Sequence, residues 1–273
     1  MMRALWTAAS GMTSQQTNVD VIANNLANVN TTAYKTETAQ FKSLLYQTIQ
    51  SKTTSANGET KPVGAQVGLG VRNSAITSIF RQGTLTQTDK TTDFAISGEG
   101  FFTVKDSNGE LRYTRDGSFN WALSPYGGVM LCTQQGYPVL DIDGNEIVIP
   151  EEYTVSKLSI DGAGNICYPD EETGNPVPLG MTVGVVQFQN AAGLSKESGT
   201  MYAETDASGM PVSEYYTEDI KRSTLVQGYL EASNVNVADE MVNLIVAQRA
   251  YEMNSKAIQT ADTMLGQANQ LKS

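Results

Sequence analysis

The sequence contains no histidine, and that absence excludes more chemistry than any other feature. A Ser-His-Asp triad, an HExxH zinc helix and an imidazole general base all need a ring this chain does not have. Cysteine is nearly as scarce. Cys132 and Cys167 make neither a Cys₄ zinc set nor a disulfide framework; one bridge, or two apolar thiols in separate strands, are the choices left. Charge is thin at 17% of the 273 residues, against about 25% in ordinary domains. Eighteen basic against 29 acidic side chains leave a net charge of −11, a surface that repels phosphate backbones and excludes a nucleic-acid partner. No apolar run approaches the roughly 18 residues of a membrane span. Met1-Met2-Arg3 leads into Ala4-Leu5-Trp6, but Thr7, Ser10, Gly11 and Thr13 interrupt before the 7–15 apolar residues or so of a signal peptide accumulate. The chain is expected to be cytosolic, or exported by a route without a cleaved signal.

Both ends carry helical spacing. Leu5, Ala8, Met12, Gln15, Val19, Ile22, Leu26 and Val29 alternate steps of three and four, the a/d stripe of a coiled-coil-like helix. Met241, Leu244, Gln248, Tyr251, Ser255, Ile258, Asp262 and Leu265 repeat the device. Asn236-Val237-Ala238-Asp239 resembles a capping box, with an Asx oxygen for orphan N–H groups and a carboxylate three residues on. That helix is expected from about Val235 to Gln270. Each stripe is narrow, and the remaining surface is too poor in charge for i,i+4 ion pairs to support a lone helix. On spacing alone, a helical hairpin within a monomer and pairing between neighbouring copies are equally open.

Residues 51–66 are polar and short of large apolar side chains, the composition of a loop or conditionally ordered segment. From Asp93 to about Ile220 short β runs follow, including Phe101-Phe102-Thr103-Val104, Ile147-Val148-Ile149, Val155 to Ile160 and Val183 to Phe188. Turn signals at Ser107-Asn108-Gly109, Asp116-Gly117, Asp143-Gly144 and Asp161-Gly162 punctuate them, at the density of an antiparallel β domain. The fold class is therefore α+β: long terminal helices pairing as a coiled-coil-like unit, with a central antiparallel all-β domain inserted between them. Residues 1–50 and 225–273 form the discontinuous helical assembly core. Residues 51–92 are a loop or linker with extended segments, and 93–224 the β domain.

Sequences that could carry chemistry read better as structure. Asp141-Ile142-Asp143-Gly144-Asn145 with Glu152 spaces oxygens like a calcium loop. It puts Glu146 where glycine is needed, includes Pro150, and lies between strands, so a hairpin turn is expected. Glu151-Glu152 and Glu171-Glu172 are adjacent pairs whose side chains would point to opposite faces of a strand, which makes neither an acid/base dyad. Gly68-Leu69-Gly70 and Gly98-Glu99-Gly100 lack the third glycine and following helix of a nucleotide loop. No catalytic residue, metal ligand or cofactor site emerges, and the chain is not expected to be an enzyme.

The two ends carry long, ordered motifs. Val21-Ile22-Ala23-Asn24-Asn25-Leu26-Ala27-Asn28-Val29-Asn30-Thr31, followed by Tyr34-Lys35, is similar to the N-terminal signature of the flagellar rod and hook axial proteins. Glu231-Ala232-Ser233-Asn234-Val235-Asn236-Val237, continued by Gln248-Arg249-Ala250-Tyr251-Glu252-Met253-Asn254-Ser255-Lys256, resembles their C-terminal signature. Gln82-Gly83-Thr84-Leu85, Gly98-Glu99-Gly100-Phe101-Phe102 and Tyr113-Thr114-Arg115-Asp116-Gly117-Ser118-Phe119 resemble their shared β core. Leu5-Trp6-Thr7-Ala8, Gln15 to Asp20 and Leu44 to Ile49 look most like the distal-rod branch. A proximal-rod or hook paralogue is the alternative within the family; a β domain that binds or cleaves cell-wall glycan is the alternative outside it.

The resemblance implies a structural, self-assembling subunit of the bacterial flagellar basal body, exported by the type III apparatus. The terminal helices would pack with those of neighbouring copies around a hollow axle that carries motor torque to the hook and lines the export channel. Partners would be further copies, other rod and hook subunits and the export apparatus, with contact to bushing rings also allowed. The residues expected to carry assembly are Leu5, Met12, Val19, Ile22, Leu26, Met241, Leu244, Tyr251, Ile258 and Leu265. Asn24, Asn25 and Asn28 are expected to make side-chain hydrogen bonds near the helix end. Ala33 stands where the family commonly has glycine. Because alanine tolerates positive φ poorly, the turn after the first helix is expected to differ.

Overall fold

The computed structural model describes residues 2–50, 53–54, 60–61, 64–125, 127–170, 175–217 and 220–270. Glu171-Glu172 and most of the 51–66 loop lie outside them. The chain divides into two compact units: residues 1–27, 37–78 and 236–273, and residues 28–36 with 79–235.

The first unit holds two helices, α1 (Met2–Ala27) and α2 (Val237–Gln270), which pack on each other. α2 starts as its sequence indicates. Asn236 Oδ1 accepts from the Ala238 N–H at 3.1 Å, and Asn236 Nδ2 donates to Asp239 Oδ2 at 2.8 Å. The acidic first turn, Asp239 and Glu240, faces the positive end of the helix dipole. On α1, Ala8 and Ile22 of the expected stripe are buried, and Leu5, Met12, Val19 and Leu26 are half-buried.

On α2 the buried positions lie one place before one row of the expected stripe. Glu240, Ala247 and Ala261 are buried and Asn254 and Ser255 are half-buried, while Met241, Gln248 and Asp262 are exposed. The row at Leu244, Ile258 and Leu265 is half-buried as expected, while Tyr251 stays 41% exposed and Met241 52% exposed. The physical reason is size. A Cβ on Gly11 would lie 2.9 Å from Asn254 Nδ2, so the helices meet through small residues, and the bulkier apolar row turns outward.

Residues 37–50, expected with the helical core, belong to the first unit and form strands there. Glu37–Ser43 pairs antiparallel with Val71–Ser78, and Tyr46–Gln50 with Ala65–Gly68; both pairings carry a register shift. Thr, Gln and Ser dominate this ribbon, so its strands lack the apolar alternation by which a half-buried strand is recognised.

In the second unit, a six-stranded antiparallel sheet runs in the order Ser195–Lys196, Met201–Ala203, Leu111–Thr114, Phe101–Lys105, Val185–Gln187, Val212–Ser213. Two three-stranded sheets, Asn120–Leu123 with Val129–Cys132 and Val148–Ile149, and Ser159–Ile160 with Asn165–Pro169 and Pro176–Thr182, complete the larger layers. Neighbouring residues of a strand point to opposite faces, and Phe101-Phe102 uses both. Phe102 joins the main core with Phe94, Val104, Phe119, Leu131 and Val139. Phe101 enters a second cluster with Tyr113 and Tyr202, edge-on to Phe80 at 5.5 Å and to Phe188 at 5.7 Å. The expected strand from Val155 to Ile160 shortens to Ser159–Ile160, because Val155–Lys157 closes a single 3₁₀ turn through Lys157 N–H to Thr154 O. Cys132 and Cys167 are free buried thiols in different sheets, and burial pushes both thiols up.

Ala33 corrects the expectation for its turn. It adopts φ +57° itself, so the left-handed turn is kept without glycine, and its N–H donates to Glu231 O at 2.8 Å. A left-handed residue with a Cβ costs about 1–2 kcal/mol, and Ala33 is fully buried. Ala33→Val adds a β-branch in that conformation and in closed space. It is expected to lower the unfolding free energy of this unit by about 2–4 kcal/mol, read from the urea midpoint.

Candidate assembly surface and motif cluster

The motif residues separate into two groups. One fixes the chain within its units. Asn25, fully buried, donates from Nδ2 to Glu37 O at 2.8 Å and accepts the Glu37 N–H on Oδ1 at 2.9 Å. Its side-chain amide thereby copies a backbone β-bridge. Asn24 Nδ2 reaches Glu37 Oε2 at 3.4 Å, and Asn28 Oδ1 accepts from Thr31 Oγ1 at 3.0 Å. These are the bonds expected of the three asparagines, now with their partners. Ser233 Oγ accepts the Val235 N–H at 3.3 Å, and Val235 is buried. The Tyr34 ring lies under Lys196 Nζ at 5.2 Å.

Asn234 uses its full hydrogen-bonding capacity. Oδ1 accepts from Thr36 N and Thr36 Oγ1, each at 2.7 Å; Nδ2 donates to Ile79 O at 2.8 Å and Arg81 O at 2.9 Å. An amide offers two donors and two acceptor lone pairs, so no other side chain of this size could replace it.

Beside it lies an ion cluster. Lys35 Nζ donates to Glu231 Oε1 at 2.6 Å and to Arg81 O at 2.9 Å. Arg115 Nε donates to Glu231 Oε2 at 2.9 Å, while Nη1 and Nη2 donate to Gly100 O at 3.1 Å and Gly98 O at 2.8 Å. The Gly83 N–H adds a bond to Glu231 Oε1 at 2.7 Å. The three side chains are almost completely excluded from solvent. Gly98, at φ +148°, lies so close to Ser223 that a Cβ would collide with its hydroxyl; the close approach, not nucleotide binding, requires this glycine.

Burial works against the Glu231 carboxylate, but Arg115, Lys35 and the Gly83 N–H prevail and hold its pKa below the ordinary 4.5. Lys35 is lowered by burial and by Arg115, against the pull of Glu231. The Tyr113 hydroxyl, buried and facing Glu204, is pushed up to about 12. Arg115 and Glu231 stood in quoted motifs, yet nothing in the sequence marked them as partners of Lys35. The signal was a charged residue directly after a strand otherwise destined for the core.

The second group is exposed. Gln248 and Arg249 lie on the solvent side of α2, where Arg249 Nη1 pairs with Glu252 Oε2 at 3.1 Å; Ala250 is half-buried. The same helix exposes Ile245 at 56%, Val246 at 62% and Met253 at 65%, and α1 exposes Trp6 at 73%. α1 has only Arg3 and Asp20 as charged side chains. Scattered exposed apolar residues are normal, but a contiguous apolar helix face marks an interaction surface. Buried Glu240 has one carboxylate oxygen without a hydrogen-bond partner among the described residues, a further cost to the helix pair. The remaining acidic candidates are structural. Asp141 Oδ1 accepts the Ile142 and Thr182 N–H groups at 2.7 and 2.9 Å, Asp143 accepts from Tyr216 at 2.6 Å, and Glu151 and Glu152 are exposed in a turn.

Three family descriptions match this chain: flagella basal body rod protein over residues 5–35, flagellar hook protein FlgE/F/G D1 domain over 95–168, and flagellar basal body rod FlgEFG protein C-terminal over 226–271. A flagellar basal-body rod protein FlgG of Borreliella burgdorferi is 47% identical, with 100% of this chain and 99% of that protein covered. The proteins of that name from Caulobacter vibrioides and Bacillus subtilis are 42% and 37% identical, both chains covered completely in each comparison. The chain belongs to the flagellar basal-body rod protein family, whose members are structural. Its place is therefore the basal body of the flagellum.

Removing the Glu231 charge leaves two buried cations without their anion. Glu231→Gln is expected to cost about 3–5 kcal/mol of unfolding free energy at neutral pH. A carboxylate with a depressed folded pKa stabilises above its unfolded value and loses that contribution as pH falls through the folded value. The wild-type urea midpoint is therefore expected to fall as the pH drops below 4.5, and the Glu231→Gln midpoint to fall less over that window.

Proposed function

We propose that this chain is a structural subunit of the distal rod, polymerising through α1 and α2 into the wall of a hollow axle. Within each subunit the helices pair as a coiled-coil-like unit, through the row 240/247/254/261 and through Leu244, Ile258 and Leu265. The outward apolar face of α2 then serves neighbouring copies. Leu5, Met12, Val19, Ile22, Leu26, Met241, Leu244, Tyr251, Ile258 and Leu265 divide between these tasks. Ile22 and the half-buried positions hold the pair, and Met241 and Tyr251, being exposed, face a neighbour.

The observation that carries this reading is the exposed row Ile245, Val246 and Met253 on α2. Repetition of such contacts in every subunit gives the stiffness needed to transmit torque to the hook, and a channel along the axis lets later subunits pass. Other rod and hook subunits and the type III export apparatus are the partners this role requires. The FlgG proteins, at 37–47% identity, resemble the chain more than the hook-basal body complex protein FlhP of Bacillus subtilis does, at 31%. That order favours the distal rod over a paralogous position.

Val246→Glu places a charge on the exposed face without touching the pair. The variant is expected to keep wild-type circular dichroism and to raise the critical concentration for polymerisation at least about tenfold, the equivalent of about 1.4 kcal/mol. Sedimentation of polymer at graded protein concentrations reads it, and wild-type polymerisation by Val246→Glu counts against the reading.

A further inference from the structure

The two segments that lead to and from the helices, residues 28–36 and 229–235, are built into the β unit. Four backbone bonds hold them there: Ala33 N–H to Glu231 O at 2.8 Å, Asn234 N–H to Tyr34 O at 3.3 Å, Ile79 N–H to Thr36 O at 2.8 Å and Ala232 N–H to Thr84 O at 2.9 Å. Tyr229–Glu231 also pairs with Leu85–Gln87. The Asn234 amide and the Lys35–Glu231–Arg115 cluster bridge the same two segments, Lys35 and Glu231 being 196 positions apart in the sequence.

We infer that residues 28–36 and 229–235, clasped by Glu231 between Lys35 and Arg115, are ordered in the single subunit before and independently of helix assembly. Three ionised side chains are removed from water at this place, and a buried charge is tolerated only with its partner fixed beside it. Opening residues 28–36 would draw Lys35 away and leave the Glu231 carboxylate with Arg115 alone, and opening residues 229–235 would draw Glu231 away and leave Lys35 and Arg115 buried without their anion. Either opening is therefore penalised while the β unit is folded. The helices are secured otherwise, by small residues, half-buried apolar rows, buried Val21 and Ile22 and the Asn25 amide on Glu37. The clasp therefore orders its two segments whether or not α1 and α2 are themselves formed. This inference does not depend on the rod reading, since it concerns one unpolymerised chain.

Hydrogen exchange on the full-length, unpolymerised chain tests it. The amides of Ala33, Ile79, Ala232 and Asn234 are expected to exchange at least about tenfold more slowly than the median amide of α1 and α2. Exchange at the helix rate or faster overturns the inference. In Glu231→Gln those four amides are expected to lose at least about tenfold in protection while Phe101–Lys105 and Leu111–Thr114 stay protected; unchanged protection of the four overturns the role of the clasp. Should Glu231→Gln unfold the whole unit, Lys35→Met replaces it, since that variant keeps the Arg115–Glu231 pair. It is expected to open the segments alone. Full protection, or loss across all strands in this variant too, overturns the clasp as a local device. Polymerisation is measured separately, so failure of Val246→Glu to block it leaves this result unaffected.

Discussion

The architecture depends on one carboxylate. Glu231 accepts the ammonium of Lys35, the guanidinium of Arg115 and the N–H of Gly83, and so ties an N-terminal segment, a central strand and a C-terminal strand into one body. Its two cations exceed its single charge, and the carbonyls of Arg81, Gly98 and Gly100 take up further donors. Every bond in the cluster needs the others in place, because each partner left alone would be a buried ion. This makes the β unit a closed object from which the chain leaves at two neighbouring points.

The helices follow the opposite principle. α1 buries Ala8, Ser14, Val21, Ile22 and Asn25 and α2 buries Glu240, Ala247 and Ala261, while Ile245, Val246 and Met253 of α2 and Trp6 of α1 stay in water. A monomer gains little from that arrangement, since ordering each residue costs about 1–2 kcal/mol and most of the large apolar side chains of α2 are exposed. The arrangement becomes favourable when copies of the same face meet.

Much of this was legible in the sequence, and the failures have identifiable causes. α2 was bounded to within two residues at its start because Asn236 and Asp239 are capping chemistry written locally. The inner positions of its seam, Ala247, Asn254 and Ala261, are small because the helices approach closely, so apolar periodicity alone does not mark them. The strands Glu37–Ser43 and Tyr46–Gln50 carry too little apolar alternation to be read as strands. Ala33 kept a left-handed turn that its side chain disfavours, paid for by burial and by its bond to Glu231. The asparagine motif reads as a source of side-chain hydrogen bonds, but Glu37, the partner of Asn24 and Asn25, lies 12–13 positions on, beyond what helical spacing reveals. Lys35 and Glu231 are 196 positions apart, which hides that pair as well.

The central claim is that the exposed face of α2 becomes buried between copies. The most direct measurement is the rate of thiol labelling at Ile245→Cys, taken in free subunits and in polymer, with Leu123→Cys on the β unit as the exposed reference. The native thiols are buried and give a low background. The account predicts fast labelling of Ile245→Cys in free subunits, slowing at least about tenfold in polymer as the site is desolvated, while Leu123→Cys labels at similar rates in both. Equal labelling of Ile245→Cys in subunits and polymer would contradict it, because the face would then remain in water after assembly.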